Sequence, residues 1–148
     1  MSNKKKLTNG EVWETLRKVD ISHLVVKKGD MDYLNWADCW ALLMSVYPQA
    51  IFEWIPPVFY RSSAEAGTCE VGCKVTIGEL SREMSLPVMT SMLPMKSIPN
   101  PTSRDINDAK ARCLVKTIAM FGLGLSLWEK KTASPTKKVE MHEEGMGF

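Results

Sequence analysis

Residues 100–128 read NPTSRDINDAKARCLVKTIAMFGLGLSLW, and the fold turns on them. Pro101 punctuates the start, and Thr102 or Ser103 can cap a helix by accepting a hydrogen bond from an otherwise unpaired N–H. Asp105 and Asp108 stand in the first turns, where the helix dipole favours anions. Ile106, Ala109, Cys113, Thr117, Met120 and Phe121 recur at helical spacing and make one apolar stripe. Asp105, Asp108, Arg112 and Lys116 fall together on the opposite side. Gly122 and Gly124 then end or distort the helix. The stretch predicts one long helix with a packing face and a polar face tipped by cations.

Upstream of it lies the material that a packing face needs. Cys69, Val71, Cys73, Val75 and Ile77 alternate with polar or small residues across 68–78, the period of a half-buried strand. Gly78-Glu79 predicts a hairpin turn, and a partner strand over 82–89 puts Met84, Leu86 and Val88 on one face. Pro87 leaves that partner on an edge or ends its pairing early. An earlier strand over 51–55 is broken by Pro56-Pro57 and resumes, or becomes an edge strand, at Val58, Phe59 and Tyr60. Residues 62–67 and 90–102 read as loops.

Further out, Thr8 with Glu11 fits a capping box for a short helix over 8–19, whose apolar side is Val12, Trp13, Leu16 and Val19. Residues 20–32 read as a connector with a Lys-Lys-Gly-Asp turn. Asn35 caps a second helix that Pro48 stops, with Trp36, Cys39, Trp40, Leu43 and Tyr47 as its stripe. That periodicity assigns Trp36 and Trp40 to the core rather than to a base-stacking platform. The order helix, helix, strand, strand, strand, helix gives an α+β domain over 9–128. It pairs a three-stranded antiparallel sheet with a long C-terminal helix and adds N-terminal helices. Residues 1–8 read as a disordered N-terminus and 129–148 as a flexible tail. A small sheet with two open edges favours self-association.

The 148 residues suffice for one domain with its own core. No apolar run approaches the roughly 20 residues a membrane span needs, so the chain reads as cytoplasmic. Cys39, Cys69, Cys73 and Cys113 are then expected as reduced thiols. His23 and His142 are isolated, which leaves no metal-like spacing and no expected metal. Net charge is +2. Residues 10–128 hold twelve Lys/Arg and thirteen Asp/Glu, a balance of −1. Within 96–116, Lys96, Arg104, Lys110, Arg112 and Lys116 face only Asp105 and Asp108, a local +3. That excess is either a phosphate-binding patch or a solvated helix face with an Asp108–Arg112 pair.

Several motifs taken together resemble a family. Tyr33-Leu34-Asn35-Trp36-Ala37 resembles the tyrosine-leucine-serine-tryptophan-alanine entry to an early helix in the Sak-type phage single-strand annealing proteins. These belong to the superfamily of RAD-type and Erf annealing proteins. Val75-Thr76-Ile77-Gly78 and Leu86-Pro87-Val88-Met89 resemble the family's hairpin. Ile106-Asn107-Asp108-Ala109, Arg112-Cys113-Leu114-Val115-Lys116 and Gly122-Leu123-Gly124-Leu125 resemble its signature helix. After Gly124-Leu125 the chain reads SLWEKKTASP and departs from the aromatic and acidic turn of relatives.

The resemblance implies a β-β-β-α core, and homo-oligomeric rings or helical filaments in a bacterial host's cytoplasm. It implies binding of single-stranded DNA without sequence preference. The implied activity is ATP-independent annealing of complementary strands in phage homologous recombination. It implies no enzyme activity, no catalytic residue and no cofactor. A phage exonuclease or a host single-strand binding protein is a candidate further partner. By position the family's DNA contacts carry to Arg112 and Lys116. Charge and location add Lys74, Lys96, Arg104 and Lys110. Annealing needs bases facing outward, so few essential stacking aromatics are expected, with Trp54, Phe59 and Tyr60 as candidates. The rival readings are a passive single-stranded DNA-binding protein and a protein-interaction adaptor. A nuclease would need clustered metal-binding carboxylates or histidines. An oligonucleotide-binding barrel would need about five strands.

Overall fold

The computed structural model describes residues 6–61, 67–91 and 94–129. Thr8 caps α1 (Asn9–Arg17), its hydroxyl accepting the Glu11 N–H at 3.1 Å. Val12 and Leu16 bury one side of α1. Order reaches into the segment expected to be a disordered terminus. Leu7 packs against the core, and Lys6 pairs with Glu79 at 3.2 Å.

The expected connector 20–32 holds a β-hairpin around the expected turn. β1 (Val25–Lys28) and β2 (Met31–Leu34) pair antiparallel, with Lys28 opposite Met31. The intervening two-residue loop needs a positive φ, which Gly29 supplies at 62°. Asn35 then caps α2 (Trp36–Val46) by accepting the Ala37 N–H at 2.8 Å. Cys39, Leu43 and Tyr47 are buried as the stripe predicts.

β3 (Ile51–Arg61), β4 (Gly67–Ile77) and β5 (Leu80–Pro87) form an antiparallel sheet with β4 in the centre. β3 runs through Pro56-Pro57 as a single edge strand. Its register passes from Ile55 opposite Gly72 to Val58 opposite Glu70, a bulge that absorbs the prolines. β5 starts at Leu80, two residues earlier than expected, and ends at Pro87 on the other edge. Within the expected loop 62–67, residues 62–66 lie outside the described residues, and Gly67 opens β4.

Cys69, Val71, Cys73, Val75 and Ile77 of β4 are buried on one face. α3 (Ser103–Ala119) covers that face, packing on β4 and β5. Its start is a full capping box. Thr102 Oγ1 accepts the Asp105 N–H at 3.1 Å, and the Asp105 carboxylate accepts the Thr102 N–H at 2.9 Å. Ala109, Cys113 and Thr117 are buried as expected. Leu114 and Ile118 are buried too, because α2 packs alongside α3. Met120 departs from the stripe. It is the C-cap of α3 and is exposed, while Phe121 fills the core beyond it. The helix stops at Ala119, just before Gly122 and Gly124, the glycines expected to end it. At Gly122, φ is 117°, and a Cβ would lie 3.2 Å from the backbone of both Trp13 and Arg17. Only glycine lets the chain turn there against α1. A 3-10 turn, Leu125–Leu127, follows.

The observed architecture is thus the expected α+β one, with a three-stranded antiparallel sheet against the C-terminal helix. Among the described residues no helix is long and apolar enough to cross a membrane. The expected tail lies outside the described residues except for Glu129, which pairs with Arg17 at 3.5 Å.

Candidate nucleic-acid interface

The β1–β2 hairpin does not join the main sheet. It stands beside α3, and Leu34 at its end is buried against Gly124. Between hairpin and helix runs a groove of about 710 Å³. Ala111, Arg112, Val115 and Lys116 form its α3 wall, and Met31, Asp32, Tyr33 and Leu34 its hairpin wall. Met89 and Met95, from the segment after β5, line it as well. So do Trp36 at the start of α2 and Trp128 after the 3-10 turn.

Arg112 and Lys116 are one helical turn apart, so one wall carries both. Arg112 is fixed in place: Nη2 donates to the Met89 carbonyl at 2.9 Å. Its Nε is buried without a hydrogen-bond partner. The Asp108–Arg112 pair that a solvated helix face would favour does not form. Lys116 makes no ion pair among the described residues. On the hairpin side, Lys27 lies 2.7 Å from Asp32, whose hydrogen bond and charge raise the lysine pKa. Lys28 sits 4.1 Å from the centre of the Tyr33 ring. Lys27, Arg112 and Lys116 against Asp30, Asp32 and Glu129 give the lining a formal balance of zero. Pairing redistributes it. Asp32 is matched by Lys27 and Glu129 by Arg17, so Arg112 and Lys116 of the α3 wall are left against Asp30 alone.

The other candidate cations are scattered. Lys96 follows Met95 on an exposed segment, tied by its backbone to Thr90. Arg104 is exposed in the first turn of α3. Lys110 is on the far flank of α3, with Nζ 5.6 Å from the centre of the Trp54 ring. Lys74 is on the opposite face of the sheet, between Glu53 of β3 and Glu83 of β5 in the strand register. The period of a strand makes this unavoidable, since Cys73 and Val75 face α3.

Of the candidate aromatics, Trp54 packs edge-on against Phe52, and Tyr60 donates to Glu70 at 3.1 Å on the outer face. The aromatics that line the groove are Tyr33, Trp36 and Trp128. The helical stripe assigns Trp36 to the core, and the structure corrects this. As the first residue of α2 it is 45% exposed. The hairpin's contribution escapes the sequence because each strand is only four residues long.

The four cysteines are free and buried. Burial pushes the Cys39 and Cys73 thiols up to about 12 and raises Cys69 and Cys113 as well. All four are therefore protonated at neutral pH. Among the described residues no group of three or more His, Cys, Asp or Glu could hold a metal ion.

No curated protein matches the sequence. A family model described as Sak Single Strand Annealing Protein matches residues 11–140, a span that holds the sheet, α3 and every wall of this groove. The chain belongs to that family of single-strand annealing proteins.

Proposed function

We propose that the protein binds single-stranded DNA without sequence preference, along the groove between α3 and the β1–β2 hairpin. There it promotes annealing of complementary strands without ATP, in phage homologous recombination. The observation that carries this reading is the pairing of Arg112 and Lys116 on one groove wall, in a chain of an annealing family. Phosphates along a strand need cations at fixed positions and nothing that reads base edges. Arg112 and Lys116 are the principal phosphate contacts. Lys96 and Arg104 are exposed and extend the attraction. Lys110, on the other flank of α3, and Lys74, among glutamates, contribute least.

The same reading includes a homo-oligomer, a ring or filament, since β3 and β5 both leave sheet edges for a second copy to cover. The test mixes the purified protein with two complementary labelled strands and follows duplex formation without nucleotide, with sedimentation run in parallel. Faster annealing than in buffer is expected. Tight binding with no acceleration would leave a passive coating protein, and a strict monomer with and without DNA would remove the assembly.

A further inference from the structure

Phosphate binding alone does not account for the groove's composition. Trp36 and Trp128 arrive from different parts of the chain and are 45% and 48% exposed, yet line the same groove as Arg112 and Lys116. On the wall opposite, Lys27 is already paired with Asp32 at 2.7 Å and Asp30 stands nearby in the lining, which disfavours a second phosphate there. The groove's lining therefore combines cations with exposed aromatics. Its volume is within the range of about 300–1,000 Å³ that takes a small ligand, a nucleotide among them. An unpaired nucleotide has the matching halves, a charged phosphate and a flat apolar base.

We propose that each protomer holds one nucleobase of the bound strand in this groove, stacked on the indoles of Trp36 and Trp128. Arg112 and Lys116 hold the adjoining phosphates. This rests on the groove being the DNA site. Stacking is indifferent to sequence, because every base has a π-face. One base per protomer is withdrawn from pairing and fixes the strand's position, while its neighbours stay open to the complement.

The test compares a short single strand with an abasic strand of equal length and phosphate count, by fluorescence anisotropy at one salt concentration. Full-length wild type, Trp36→Ala/Trp128→Ala, Trp36→Phe/Trp128→Phe and Arg112→Ala/Lys116→Ala proteins are used. Wild type should prefer the intact strand by about tenfold, the size of a stacking contact. The alanine pair should bring that ratio close to one, and the phenylalanine pair should restore most of it. A wild type that binds both strands equally overturns the proposal without any variant. So does an alanine pair that still discriminates, or one that changes only sedimentation. Failure of the groove itself reads differently: Arg112→Ala/Lys116→Ala would then bind both strands as wild type does.

Discussion

Arg112 and Lys116 look equivalent as letters four apart, and their surroundings separate them. Arg112 commits one guanidinium nitrogen to the Met89 carbonyl and buries Nε, so it ties α3 to the segment leaving β5. Lys116 has no such partner among the described residues. Arg112→Ala should therefore lower stability by about 1 kcal/mol, the net worth of a partly buried hydrogen bond. Lys116→Ala should fall within about 0.5 kcal/mol of wild type, as surface changes do. Urea denaturation of the two single variants checks this, and equal losses would mean the Met89 hydrogen bond contributes nothing. The tether also has a functional side. A guanidinium held in place loses little freedom when a phosphate arrives, whereas Lys116 must be ordered by it.

At the scale of elements, the start of α3 was legible to within a residue: Thr102 or Ser103 could cap it, and in the structure Thr102 does so, with Asp105 completing a reciprocal cap. Thr102→Ala should cost about 1 kcal/mol. Affinity for single-stranded DNA at 25 °C should be unchanged, since Arg112 and Lys116 lie turns away from the frayed end. A thermal melt with a binding titration checks both, and an unchanged melting temperature would contradict the capping account. β4 was equally legible from its strict alternation, and Asn35 marked the start of α2. The β1–β2 hairpin was not. Four-residue strands carry too little pattern, and such a hairpin needs anchors in the core, here Leu34, buried against Gly124, and Val25 of β1. Trp36 fits the α2 stripe by spacing, but spacing gives direction around a helix and not how far the core extends along it. The groove needed both missed pieces. Its cations could be read in advance, and its aromatics could not.

Across the whole molecule, charge has a direction that the net value of +2 conceals. The outer face of the sheet groups Lys74 with Glu53, Glu70 and Glu83, one cation against three anions, or −2. The groove lies on the other side, where α3 covers the sheet and presents Arg112 and Lys116. On the proposed reading, a polyanion is repelled from the first surface and drawn to the second. The measurement that tests this most directly is the slope of log affinity against log salt for a single strand. It is taken for wild type and for the Arg112→Ala/Lys116→Ala double variant, with folding checked by circular dichroism. Binding should weaken for all sequences alike. The slope should flatten by about 1.4 per protomer, at roughly 0.7 for each single-strand phosphate no longer neutralised. Equal slopes and equal affinities in two folded proteins would contradict the account and leave Arg112 as a tether between α3 and the segment after β5, and Lys116 as a solvated charge.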